Sequence, residues 1–64
     1  MQVYEIRILN PNFRPLFVVK EQYQSDTAAV HDAKKLAAGK GVEVWTEMSC
    51  IYRSPAMPQA NWAA

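Results

Sequence analysis

The chain has one cysteine, Cys50, and one histidine, His31. A single cysteine excludes an internal disulfide framework and any CxxC zinc or redox motif. A single histidine excludes every metal site that needs two imidazoles. Charge of one sign is also lacking. Seven basic residues against six acidic ones leave a net +1 at pH 7. That is too little for a dedicated polyanion binder, whose affinity comes from displacing counterions with many Lys and Arg. No apolar run approaches the roughly 18 residues of a membrane span. The opening MQVYEIRILN carries Glu5 and Arg7 and has neither the apolar centre nor the small-residue cleavage site of a signal peptide. The expected compartment is a reducing cytoplasm, with no membrane partner. Glycine is scarce as well, at two residues. Gly39-Lys40-Gly41 follows a helical stretch instead of preceding one, so it is a helix stop and strand start and no phosphate loop.

What is present is alternation. Tyr4, Ile6 and Ile8 share one side of a first strand over 3–9, and Glu5 and Arg7 share the other. Asn10-Pro11-Asn12-Phe13 supplies a turn, with Pro11 suited to its second position and Asn12 to its third. A second strand over 16–23 completes a hairpin. Its facing is ambiguous, because Phe17 and Val19 compete with Leu16 and Val18. Pro15 lacks an amide donor and fits the start of an edge strand. From Ser25 the period changes to that of a helix of about 13 residues. Ser25 caps it, Asp26 complements its dipole, and Gly39 is placed for a left-handed close. Ala29, Val30, Ala33, Leu36 and Ala37 form its packing side, while His31 and Lys35 point away.

Val42 to Thr46 alternates again, with Val42 and Val44 on one side and Glu43 and Trp45 on the other. A gap, Glu47-Met48-Ser49, separates it from a short fourth strand, Cys50 to Arg53. Two registers fit this second hairpin. One sets Ile51 beside Val44 and Cys50 beside Trp45. The other sets Ile51 beside Trp45 and pairs Glu43 with Arg53. The first is preferred, because it gathers Val42, Val44 and Ile51. The expected fold is therefore α+β, a ββαββ domain over 1–53. Its four-stranded, mostly antiparallel sheet carries one helix on one side. Strand order 2-1-3-4 is preferred over 1-2-3-4, since it puts Pro15 on an edge and the cleanest alternation in the middle. Residues 54–64, SPAMPQANWAA, carry no charge and no periodicity and read as a flexible tail.

The run Val42-Glu43-Val44-Trp45, a short gap and Cys50-Ile51-Tyr52-Arg53, behind a strand pair and one helix, resembles a group of small uncharacterised bacterial proteins with the same strand-strand-helix-strand-strand plan. The resemblance spans roughly residues 3 to 53. Its motifs are short: a Glu-apolar-Trp strand, and a basic residue closing the last strand. Where that group often has Gly between the last two strands, this chain has Glu47-Met48. The resemblance implies a fold and carries no activity, substrate or cofactor.

Catalysis is not expected. His31 and Cys50 form the only Cys-His combination, and the helix period turns His31 to solvent. Glu5 and Glu43 can neighbour each other across strands, but solvated charges paired with Arg7 or Arg53 are the simpler reading. The informative surface is the sheet side without a helix. It is expected to bring together Trp45, Arg7, Glu5, Glu43, Tyr52 and Arg53. Mixed charge around an aromatic suits a two-fold contact between copies, and a homodimer is the leading expectation. At 64 residues a single core is marginal, which favours the same reading. Two alternatives use the same surface. Trp45 and Tyr52 stack single-stranded nucleic acid while Arg7, Lys20 and Arg53 hold phosphates, or the chain's own tail covers Trp45 through Met57 and Trp62. No cofactor or metal is expected.

Overall fold

The computed structural model describes residues 2–55. Its elements run β1 (Gln2–Leu9), β2 (Pro15–Tyr23), α1 (Asp26–Ala37), β3 (Gly41–Trp45) and β4 (Cys50–Ser54). The strands form one antiparallel sheet in the order β2-β1-β3-β4. The expected ββαββ plan and strand order are both observed. Among the described residues no helix is long and apolar enough to cross a membrane. The tail from 56 onward, with Met57 and Trp62, lies outside the described residues.

The first hairpin turns where the sequence places it. The Phe13 amide donates to the Asn10 carbonyl at 2.8 Å, with Pro11 and Asn12 between them. The Asn10 side chain accepts from the amides of Asn12 (2.8 Å) and Arg14 (3.0 Å). This satisfies donors that the turn leaves without ladder partners. Phe13 takes φ 63°, the left-handed position that Gly usually fills after such a turn. The pairing fixes the facing of β2. Phe17 and Val19 lie across from Ile8 and Ile6, on the helix side, and Val18 and Lys20 lie across from Arg7 and Glu5 on the other.

Ser25 caps α1, its Oγ accepting from the Ala28 amide at 3.1 Å. The helix lies over β3 and β1 and touches the sheet through Ala29, Ala33 and Ala37, each at most 3% exposed. This stripe at i, i+4 and i+8 is one helical face of methyl groups. It lets the helix approach the layer of Tyr4, Ile6, Ile8, Val42 and Val44 closely. Val30 packs at its margin. Leu36 departs from expectation and is 40% exposed. It stands one turn beyond Asp32, on the flank that meets β2, where the sheet ends before the helix side chain does. The closing geometry also differs by one residue: Ala38 is already left-handed at φ 50°, and Gly39 follows at φ 89°.

Two tyrosines fasten the helix to the sheet. Tyr4 Oη donates to Asp26 Oδ1 at 2.5 Å, and Tyr23 Oη donates to Asp32 Oδ2. Their rings meet edge to face, with centroids 5.8 Å apart. The bond to the Asp26 carboxylate, followed by burial, raises the Tyr4 phenol above its ordinary range. Burial, with the bond to Asp32 second, pushes Tyr23 up to about 12.

The second hairpin combines the two expected registers. Trp45 faces Cys50, as in the preferred one, but Val44 faces Tyr52 and Glu43 faces Arg53, as in the other. A bulge between Val44 and Trp45 makes both true, with Ile51 as the extra residue. Ile51 and Tyr52 consequently both pack against the core. The turn needs no glycine because Thr46 organises it. Its Oγ1 accepts from the amides of Met48 and Ser49 at 3.2 Å each, and its own amide donates to Ser49 O at 2.8 Å.

Candidate functional site

The helix-free side of the sheet is assembled by strand alternation alone. Arg7 lies directly across from Glu43, Glu5 across from Trp45, and Arg53 across from Glu43 on the other flank. Five of the six expected residues thus converge: Glu5, Arg7, Glu43, Trp45 and Arg53. Arg53, Glu43 and Arg7 form a row of alternating charge running across β4, β3 and β1, with the Glu5–Trp45 pair beside it. Arg53 Nε meets Glu43 Oε2 at 3.0 Å, Arg7 Nη1 lies 3.8 Å from Glu43 Oε1, and Arg7 Nε meets Glu5 Oε2 at 2.6 Å. Glu43 is the hub, with its side chain only 13% exposed. It also accepts from Trp45 Nε1 at 2.9 Å. The Arg7 guanidinium sits 4.8 Å above the Trp45 ring. Glu5 and Glu43 are therefore neighbours bridged by Arg7, which is the arrangement of paired surface charges and not of two carboxylates sharing a cleft.

Tyr52 belongs to the other side. It lies across from Val44, packs against the core, and has Lys34 Nζ at 5.4 Å from its ring centroid. The bulge at Trp45 reverses the parity that would have brought it to the helix-free side. Trp45 and Tyr52 consequently do not share a stacking platform. Arg7 and Arg53 both contact Glu43, so neither cation stands free of a carboxylate.

His31 is exposed on α1, beside a shallow groove lined by Asp26, Thr27, Val30, Lys34 and Ile51. Cys50 is half-buried across from Trp45, and its Sγ donates to the Tyr52 carbonyl at 3.3 Å. Among the described residues no three His, Cys, Asp or Glu side chains are grouped so as to hold a metal ion.

Beside Trp45 the helix-free side has a shallow hollow of about 260 Å³, lined by Val3, Glu5, Lys20, Trp45, Thr46 and Glu47. Sequence reasoning put Lys20 on this side only as a phosphate holder in the nucleic-acid alternative and did not name Val3, because the register of β2 against β1 decides their adjacency to Trp45. The signal available in advance was the alternation of 3–9, which already turns Val3 to the side of Glu5. Compared with protein-family models, with curated proteins and with solved structures, the chain matches none.

Proposed function

We propose that this chain is a small, non-catalytic cytoplasmic interaction domain that self-associates through the helix-free side of its sheet. The observation that carries the reading is the row Arg53, Glu43, Arg7, which alternates in sign across three strands, with Glu5 beside Arg7 along β1. A two-fold axis parallel to the strands and midway between β1 and β3 sets Arg7 over the partner's Glu43 and Glu43 over the partner's Arg7, with Glu5 over the partner's Trp45. The central arginine and glutamate then each meet their opposite, which is the self-complementarity that an isologous contact requires. The hollow beside Trp45 offers the apolar part of such a contact, and α1 covers only the opposite side. Because each charge already has a partner within the chain, the row contributes orientation more than affinity.

Charge reversal tests this. Arg7→Glu is expected to weaken association of the full chain in sedimentation equilibrium at least tenfold, and Trp45→Ala to do the same. The double variant Arg7→Glu/Glu43→Arg restores opposite charges across the axis and is expected to recover most of the loss. Association that ignores all three variants contradicts the reading.

A further inference from the structure

The sheet has a second unpartnered feature, its β2 edge. Of the seven large apolar side chains that stand exposed among the described residues, five gather there: Phe13 (56%), Leu16 (50%), Phe17 (46%), Val18 (47%) and, overhanging from α1, Leu36 (40%). They occupy both sides of the sheet. Phe17 pairs with Ile8 on the helix side, and Val18 with Arg7 on the helix-free side. A partner lying on one side of the sheet covers only half of this set. A strand added edge-on touches both sides at once and also takes up the outward amides and carbonyls of a nine-residue edge.

We propose that a second copy of this chain pairs β2 with β2, antiparallel, about a two-fold axis through Val18. The inference rests on the reading that the chain associates with itself, and adds a strand-edge contact to it. The register follows from charge. Such an axis stands perpendicular to the sheet, so residues facing each other must come from the same side. Centring it on Phe17 sets Pro15, which has no amide to give and stands beyond the bulge at Leu16, against the partner's Val19. Centring it on Val19 sets Phe17 against Glu21 and Val18 against Lys20. Centring it on Lys20 sets two lysines face to face. Centring it on Val18 sets Phe17 against Val19 and leaves Lys20 beside Leu16, whose surface the lysine stem can cover. Pro15 and Lys20, residue types that commonly guard edges, bracket the apolar stretch and confine pairing to it.

The size is consistent with a modest dimer. Five half-exposed side chains of this kind present on the order of 400 Å² per copy, against about 800 Å² per partner in a standard interface. Backbone and flanking polar groups of the strand supply the rest. Both helices then lie on one side of an eight-stranded sheet, and both rows of alternating charge on the other.

Sedimentation equilibrium of the full chain, with two variants and one cross-link, decides it. Phe17→Lys adds a charge at an exposed position that the helix-free side does not contain, and is expected to raise the dissociation constant at least tenfold. Val18→Cys, made together with Cys50→Ala, is expected to form an interchain disulfide under mild oxidation. Facing residues of an antiparallel pair have Cα atoms about 4.5–5.5 Å apart, within disulfide reach. A dimer that loses strength only with Trp45→Ala, and whose Val18→Cys variant forms no interchain disulfide, overturns the edge contact while leaving the side-on contact intact. A chain that stays monomeric overturns both. Should Phe17→Lys lose its fold by circular dichroism, the cross-linking result stands as the test by itself.

Discussion

Replacing Glu43 with alanine removes the hub of the helix-free side, and its cost follows from three contacts. The bond from Trp45 Nε1 at 2.9 Å joins a neutral donor to a carboxylate that is only 13% exposed. Hydrogen bonds to charged groups are worth about 1.5–3 kcal/mol, and the half-exposed setting of Trp45 selects the lower end. The ion pair with Arg53, whose side chain is 60% exposed, adds about 0.5 kcal/mol, and the longer approach of Arg7 at 3.8 Å adds less. These contributions overlap, so Glu43→Ala is expected to destabilise by about 2 kcal/mol. In a domain of this size that lowers Tm by roughly 10 °C. Glu43→Gln keeps an acceptor for the indole and loses the charge, so about half the effect remains. Urea denaturation of both variants measures this, and a double-mutant cycle with Trp45→Phe isolates the indole bond, with about 1 kcal/mol of coupling expected. The stability gap between wild type and Glu43→Gln should narrow in 1 M salt, where surface ion pairs are screened. A Glu43→Ala loss below about 0.5 kcal/mol, the ordinary range of an exposed substitution, refutes the hub assignment.

Other outcomes follow from the backbone and the core. Phe13 holds a left-handed φ of 63° while 56% exposed, so Phe13→Gly removes a conformational cost of about 1–2 kcal/mol and surrenders less than 1 kcal/mol to the freer unfolded chain. A net gain of roughly 0.5–1 kcal/mol in thermal or urea unfolding is expected, and a loss of stability contradicts it. Ala33 is fully buried in the stripe that sets the helix–sheet spacing, so Ala33→Leu is expected to destabilise by about 1–3 kcal/mol through overpacking. An unchanged urea midpoint places the helix farther from the sheet than described. Tyr23 has its phenol raised to about 12 in the folded chain. Above pH 10 the unfolded state therefore releases this proton before the folded one does, and Tyr23 favours the folded state fully below pH 10. That contribution declines as pH rises from about 10 to 12; a pH–stability curve compared with Tyr23→Phe detects it, and parallel curves refute it.

Element types and strand order were legible because they rest on period. The alternation of Tyr4, Ile6 and Ile8 and of Val42 and Val44 names the helix-facing layer directly, and Pro15 identifies the edge. Five residues of the candidate site were legible for the same reason, since one face of an alternating strand is a fixed set. The remainder depended on one extra residue. The bulge at Val44/Trp45 sends Tyr52 to the helix side, and nothing in Cys50-Ile51-Tyr52-Arg53 marks which residue is unpaired. Leu36 met the helical period and still stands exposed, because the period says which residues share a face and not where the sheet beneath it ends. The tyrosine clasps were missed for a related reason. Asp26 read as a helix-dipole charge and Asp32 was assigned no role, and only the crossing of α1 over β1 and β2 brings them to Tyr4 and Tyr23.

Self-association is the claim on which the functional reading depends, and sedimentation equilibrium of the unaltered full chain from micromolar to millimolar concentration tests it most directly. The account predicts a concentration-dependent rise from the 7.3 kDa monomer to at least twice that mass. A mass that stays at one chain up to millimolar concentration contradicts it.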